Sequence, residues 1–331
     1  MSELESLFGE GPTLWMDAGP GLGAFFEGLQ VGPAPSAFLP RSAGELAMGR
    51  QLAERMIGQA ARALYPPAPD RGRRLTIPGP AGGLPLLLVL PAAAPRGAML
   101  HIHGGGWWCG GPGLHLEQLA HWADSLGIAV ASVDYRLAPE HPYPAAPDDC
   151  EAAALWWIEH CRREFGTGNI LIGGESAGAH LALATLLRVR RRSGFRFAGG
   201  KFTYGLYDFG NGLPSRGIAD GRKLMQDSAL CAYYAEVFVP DAARRREPDV
   251  SPLYAVLDSD LPPALFAAGT LDPFLDDSLL MHARWQAGGN RSWLAVYREA
   301  CHGFDMFPAE AGAHLRRLEL AFMRHCLAAN A

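Results

Sequence analysis

Ser176 lies in Gly174-Glu175-Ser176-Ala177-Gly178, and the company it keeps suits acyl transfer. A serine hydroxyl is a weak nucleophile. It needs a base within hydrogen-bond reach, and the base needs an acid that fixes its tautomer and stabilises its charged form. Both follow in the chain: Asp272 in Gly269-Thr270-Leu271-Asp272-Pro273 and His302 in Cys301-His302-Gly303-Phe304. Glycines on either side of the serine let a strand and a helix approach across a sharp turn that carries the hydroxyl at its tip. Asp272 also reads as a helix cap, since Asp before Pro often starts a helix. Asp276 and Asp277 are rivals for the acid but fall inside the next helix, and Asp305 is a rival placed after the histidine. His180 and His282 sit in helical patterns, which suits structural roles.

A second group supplies donors in place of a nucleophile. His103-Gly104-Gly105-Gly106 follows a buried apolar run. Three successive glycines cost chain entropy and make sense where backbone N–H groups approach a ligand closely. The amides of this loop, with that of Ala177 at a helix start, are placed to hold an oxyanion, worth roughly 3–4 kcal/mol per donor in other hydrolases. Gly104, Trp107 and Trp108 are expected in the wall of the same pocket. His101 and His103 share a strand face and hint at metal, yet no third ligand stands nearby in sequence. The expected chemistry needs no metal and no organic cofactor.

These residues must be positioned by a repeating strand and helix pattern. Short apolar runs at 98–103, 128–133, 170–173, 198–204, 264–268 and 293–297 alternate with amphipathic segments at 114–127, 147–165, 177–190, 276–287 and 308–327. Such repeats predict an α/β fold, a mostly parallel sheet with helices on both faces. Two further strands are predicted from Arg74 to Leu90 around Pro78-Gly79-Pro80-Ala81-Gly82-Gly83. Residues 1–43 are rich in Gly and Pro, with aromatics at Trp15, Phe25, Phe26 and Phe38, and a helix is predicted over 44–65. The rhythm breaks again between 206 and 261, where only 227–237 reads as helix. We expect residues 1–70 and 206–261 to form a cap region, and 71–205 with 262–331 to form the catalytic domain.

Composition narrows the classes of function. The 331 residues carry 29 Lys and Arg against 34 Asp and Glu, so no basic surface for nucleic acid is expected. The runs Arg190-Arg191-Arg192 and Arg244-Arg245-Arg246 read as solvated helix faces. The first residues lack the basic start and apolar stretch of a signal peptide, and no run approaches membrane-spanning length; a cytoplasmic location is the expectation. Six cysteines without C-x-x-C pairs fit reduced thiols, with Cys109 and Cys301 as buried bystanders near the chemistry.

Taken together, His103-Gly104-Gly105-Gly106-Trp107, Gly174-Glu175-Ser176-Ala177-Gly178, Asp272-Pro273-Phe274-Leu275-Asp276 and His302-Gly303-Phe304 resemble the hormone-sensitive-lipase-like family of α/β-hydrolases. The Pro-rich stretch Asp134-Tyr135-Arg136-Leu137-Ala138-Pro139-Glu140-His141-Pro142-Tyr143-Pro144-Ala145-Ala146-Pro147-Asp148-Asp149 adds to the likeness, which covers roughly residues 75–327 in order. It implies an α/β-hydrolase fold with a helical cap, Ser176 as nucleophile, Asp272 as acid and His302 as base. It implies oxyanion donors at Gly105, Gly106 and Ala177, with Gly104 beside them. Members are mostly carboxylesterases of short to medium acyl esters, so a small-molecule ester is the implied partner; several members form dimers, which leaves a homodimer open. Glu175 departs from the Asp or Thr usual before the nucleophile. Two alternatives stay open: an amidase or arylformamidase using the same three side chains, and a ligand-binding protein on this fold, against which the presence of His302 argues.

Overall fold

The computed structural model describes residues 3–9, 11–17, 39–40, 42–220 and 224–329. Phe25, Phe26 and Phe38 lie outside the described residues. The core is one sheet of nine strands, in the order β1-β9-β8-β7-β6-β4-β5-β3-β2. These are β1 (Thr13–Asp17), β2 (Gly72–Gly79), β3 (Gly82–Val89), β4 (Ala98–Ile102), β5 (Ala129–Val133), β6 (Ile170–Glu175), β7 (Gly199–Thr203), β8 (Ala264–Gly269) and β9 (Ser292–Arg298). Among the described residues only the pairs β2/β3 and β3/β5 are antiparallel. The strands in the middle of the sheet are buried residue by residue, which fits their unbroken apolar composition and the helices on both faces.

Eight helices accompany the sheet among the described residues: α1 (Glu3–Phe8), α2 (Ala43–Leu64), α3 (Leu116–Leu126), α4 (Ala145–Phe165), α5 (Ala177–Ser193), α6 (Ser228–Phe238), α7 (Leu275–Ala287) and α8 (Glu310–Ala328). Ser42 caps α2 by accepting the Glu45 N–H at 3.2 Å. Helix α5 is buried around most of its circumference and is built largely of Ala and Leu, so it lies close against the sheet. No helix of the described residues is long and apolar enough to cross a membrane.

One element departs from the expected division. Residues 13–17, placed with the cap region by their Gly- and Pro-rich surroundings, form the parallel edge strand β1 beside β9. The pairing joins residues about 280 positions apart, so no local pattern announces it. Helix α2 and the segment between β7 and β8, which carries α6, lie instead at the carboxyl ends of the strands, where their side chains border a cavity.

The topology fixes where that cavity is. β4 has β5 on one side and β6 on the other, so the connections leaving β4 and β6 part in opposite directions. A crevice at such a switch point, outside the carboxyl ends of the strands, is where open α/β sheets bind ligands.

Candidate active site

Four connections leave the carboxyl ends of β4, β6, β8 and β9 and meet around Ser176. The β6–α5 turn holds the serine at φ 57° and ψ −123°, a strained conformation for a side chain other than glycine. The turn is tight on both sides. A Cβ at Gly174 would lie 2.2 Å from the Ile102 carbonyl oxygen, and one at Gly178 2.0 Å from that same atom. Only glycine therefore lets the turn seat against β4. The Ser176 N–H donates to Thr203 O at 2.9 Å, which ties the turn to β7 as well.

His302 and Asp272 complete a continuous hydrogen-bonded line. His302 Nε2 lies 2.8 Å from Ser176 Oγ, and Nδ1 lies 2.9 Å from Asp272 Oδ2. Asp272 has no exposed surface, and its second oxygen accepts the Phe274 N–H at 2.8 Å. The imidazole is held edge to face by Tyr204, 4.7 Å between centroids, and by Phe274 at 5.2 Å. A histidine so bound carries its proton on Nδ1 and turns its lone pair to the serine hydroxyl.

The rivals for the acid are engaged elsewhere. Asp276 accepts the Ser215 N–H at 2.8 Å, Asp277 is paired with Arg216, and Asp305 accepts the Tyr204 hydroxyl at 2.7 Å. His180 takes a hydrogen bond from Trp107 Nε1 at 3.1 Å and gives one to Val250 O at 2.8 Å; burial brings its pKa down to about 4. His282 pairs with Ser292 Oγ at 2.9 Å. Burial raises both Cys109, to about 12, and Cys301, so neither thiol is reactive.

The glycine loop after β4 faces the serine. Gly105 has φ 120°, and a Cβ there would meet the Cys109 carbonyl oxygen at 2.1 Å; Gly106 has φ 58° and is crowded by Tyr234. Glu175 bolts the loop to the serine turn by accepting the Gly104 N–H at 2.8 Å. Burial works to raise the Glu175 carboxyl, but His101 and His115 outweigh it and hold the group well below the usual range, so it remains a carboxylate acceptor. The Pro-rich stretch braces the other side. Tyr135 donates its hydroxyl to His103 O at 2.9 Å and stacks on the His103 ring, while the Ala138 N–H bonds Trp107 O at 2.9 Å.

Gly104, Gly105, Gly106, Ser176 and His302 border a cavity of about 210 Å³, with Ala53, Met56 and Ile57 of α2, Trp108, Met225, Tyr234 and Met306 as its apolar wall. Trp108 belongs to that wall. Trp107 does not: it is 1% exposed and stacks on Phe238 of α6 at 5.0 Å, so it fastens the segment between β7 and β8 to the glycine loop. Two tryptophans in succession point to different sides of the loop, and adjacency in sequence conceals this. Ala177 is buried at the start of α5, where the first amides of a long helix aim positive potential at the serine tip. Sequence reasoning missed Arg50, Tyr204, His115 and the His101–Glu175 contact, all brought to the site by distant elements.

The fold and this arrangement define a class, the α/β hydrolases with the nucleophile on a strained strand-to-helix turn. A family model for the alpha/beta hydrolase fold matches residues 99–306, and the chain belongs to that family, in its hormone-sensitive-lipase-like branch. Among curated proteins it is 33% identical over 249 residues to the carboxylic ester hydrolase LipN of Mycobacterium tuberculosis, covering 72% of this chain and 66% of the relative. The chain thus spans just under two thirds of that relative's length. Of solved structures, a hyperthermophilic esterase from the archaeon Pyrobaculum calidifontis superposes with a TM-score of 0.82 at 27% identity, covering 96% of this chain and all of the other. A hormone-sensitive lipase from a metagenome library gives 0.77 at 26% identity, covering 92% and 98%.

Proposed function

We propose that this chain is a serine carboxylesterase acting on esters of short to medium acyl chains. His302 takes the Ser176 proton as Oγ attacks the ester carbonyl, and Asp272 holds the imidazole's tautomer and stabilises its cation. The amides of Gly105, Gly106 and Ala177 receive the oxyanion. His302 then protonates the departing alcohol and activates water against the acyl-enzyme. The observation that carries this reading is the unbroken line Ser176–His302–Asp272 with two short contacts, set against a loop that only glycine can form.

The cavity supports the size of substrate. At about 210 Å³ it lies below the roughly 300 Å³ at which drug-sized pockets begin. Its apolar wall suits an acyl chain or a small alcohol, and Met56, Met225 and Met306 give it side chains that adapt to shape. We take α2 and the segment at 206–261 as the cap over this cavity.

The test is hydrolysis of p-nitrophenyl esters from acetate to laurate by wild type and Ser176→Ala, with an N-formyl aryl amine alongside. The expected result is a short-chain optimum that falls in the variant by about three orders of magnitude or more, with the fold retained. Cleavage of the formamide alone would make the protein an amidase; a folded wild type inert toward every substrate and unlabelled by a covalent serine probe would make it a binding protein.

A further inference from the structure

Beside the serine turn lies a second cluster that touches the ester chemistry only through the hold of Glu175 on Gly104. His101 of β4, His115 from the short 3-10 turn before α3, and Glu175 of β6 bring ligand atoms within 4.8 Å of one another. His101 Nε2 is 3.1 Å from Glu175 Oε2, and His115 Nε2 is 3.7 Å from Glu175 Oε1. A tetrahedral ion with bonds of about 2.1 Å holds its donors about 3.4 Å apart; each imidazole stands near that distance from a different oxygen of Glu175, so the carboxylate turns one oxygen to both histidines when the ion binds. His115 is 8% exposed, and its Nε2 has no hydrogen-bond partner among the described residues. A buried imidazole nitrogen facing a carboxylate without bonding to it is otherwise a cost to the fold.

We infer that His101, His115 and Glu175 bind one divalent transition ion of the zinc class, and that its presence slows the hydrolase. Two imidazoles and one carboxylate select zinc, nickel or copper over magnesium or calcium, which prefer all-oxygen sites. The outer contacts that orient such ligands are present: Ser132 Oγ lies 2.9 Å from His101 Nδ1, and Gln118 Oε1 lies 3.4 Å from His115 Nδ1. In the metal-bound form His101 carries its proton on Nδ1 and donates it to Ser132, which frees Nε2 for the ion. The charge of Lys201 acts on both Glu175 and His115, but its ammonium is bonded to Glu319 at 2.8 Å and leaves the ligand atoms free of a direct cation contact. His115 and Glu175 both border the cavity, so it supplies the entry path and water for the fourth position. Slowing follows from Glu175. Its carboxylate holds the Gly104 N–H, and an ion that draws the carboxylate toward the histidines loosens the loop bearing the Gly105 and Gly106 amides.

This inhibition rests on the esterase reading, while binding does not, and the experiment separates them. Metal-free protein is titrated with Zn²⁺ by calorimetry and with Co²⁺ by its visible bands, and p-nitrophenyl acetate hydrolysis is followed on the same samples. We expect one equivalent bound and hydrolysis slowed by about a hundredfold, the cost of disturbing an oxyanion donor, with recovery in a chelator. His115→Gln should lose the equivalent and the zinc sensitivity relative to its own metal-free rate, and Ser132→Ala should bind about 10- to 100-fold more weakly. No uptake by wild type, uptake by His115→Gln as tight as by wild type, or unchanged turnover with the ion bound would each overturn the inference; circular dichroism confirms that both variants fold. A metal-free wild type inert on esters would count against the esterase, and calorimetry with the cobalt bands would still decide the site.

Discussion

Asp272 shows how much of the proposed chemistry depends on one buried atom pair. Its Oδ2 accepts from His302 and its Oδ1 from Phe274, so the carboxylate is fixed in position. Asp272→Asn would keep the shape but present an amide N–H toward Nδ1, or leave His302 in the tautomer whose lone pair faces away from the serine. Turnover should fall by about 10⁴-fold with near-ultraviolet circular dichroism unchanged, as the tautomer argument requires. Retention of more than about a tenth of the rate would sink the assignment of the acid. At this scale the sequence was informative, because strained turns and close approaches need glycine, and Gly105, Gly174 and Gly178 each meet a backbone oxygen where a Cβ would stand. Tyr204 was not legible. Its ring packs on His302 from the end of β7, and nothing in its neighbours in sequence marks it.

Arg50 ties helix α2 to the loops around Ser176. Arg50 forms a two-pronged contact with Glu140, Nη1 lying 2.7 Å from Oε1, and also donates to Trp108 O at 2.6 Å and Ala138 O at 2.9 Å. Gly49 packs directly on the Trp108 ring, so helix and loop move together. Since Ala53, Met56 and Ile57 form one wall of the cavity, Arg50→Met should loosen that wall without touching the reacting atoms. We expect KM to rise about tenfold, the loss of one charge-assisted hydrogen bond, with kcat changed far less. Faster amide exchange confined to α2 should accompany it; a fall in kcat alone would contradict the wall role. The helices from α2 onward and the inner strands were legible from their periods, with observed bounds within a few residues of those expected, whereas α1 was not expected. β1 was not, because a five-residue strand of alternating exposure gains its identity only from β9, and neither was His115, which a short 3-10 turn delivers.

A buried charge network joins the sheet to the last helix beneath the site, and it ties the stability of the whole molecule to pH. Lys201 of β7 pairs with Glu319 of α8 at 2.8 Å, and the Thr203 hydroxyl donates to the same oxygen at 2.6 Å. Asp305 lies close by; Arg316 donates to its backbone oxygen at 2.7 Å, and no cation is bonded to its carboxyl among the described residues. Burial, then the Glu319 charge, raise its carboxyl to about 6, with the Tyr204 hydroxyl acting the other way. A carboxyl raised in the folded state keeps its proton while the unfolded chain, near pH 4, has released it. This group therefore takes stability away as pH rises from about 4 to about 6, and the loss is complete above that window. Asp305→Asn preserves an oxygen for Tyr204 and removes the charge. Denaturant unfolding should show the variant more stable than wild type by about 1–3 kcal/mol at pH 8, less at pH 5 and equal near pH 4. Equal stabilities at pH 8 would mean that Lys201 already neutralises both carboxylates. The same network reaches the serine turn through Thr203, whose hydroxyl bonds Glu319 while its carbonyl accepts the Ser176 N–H.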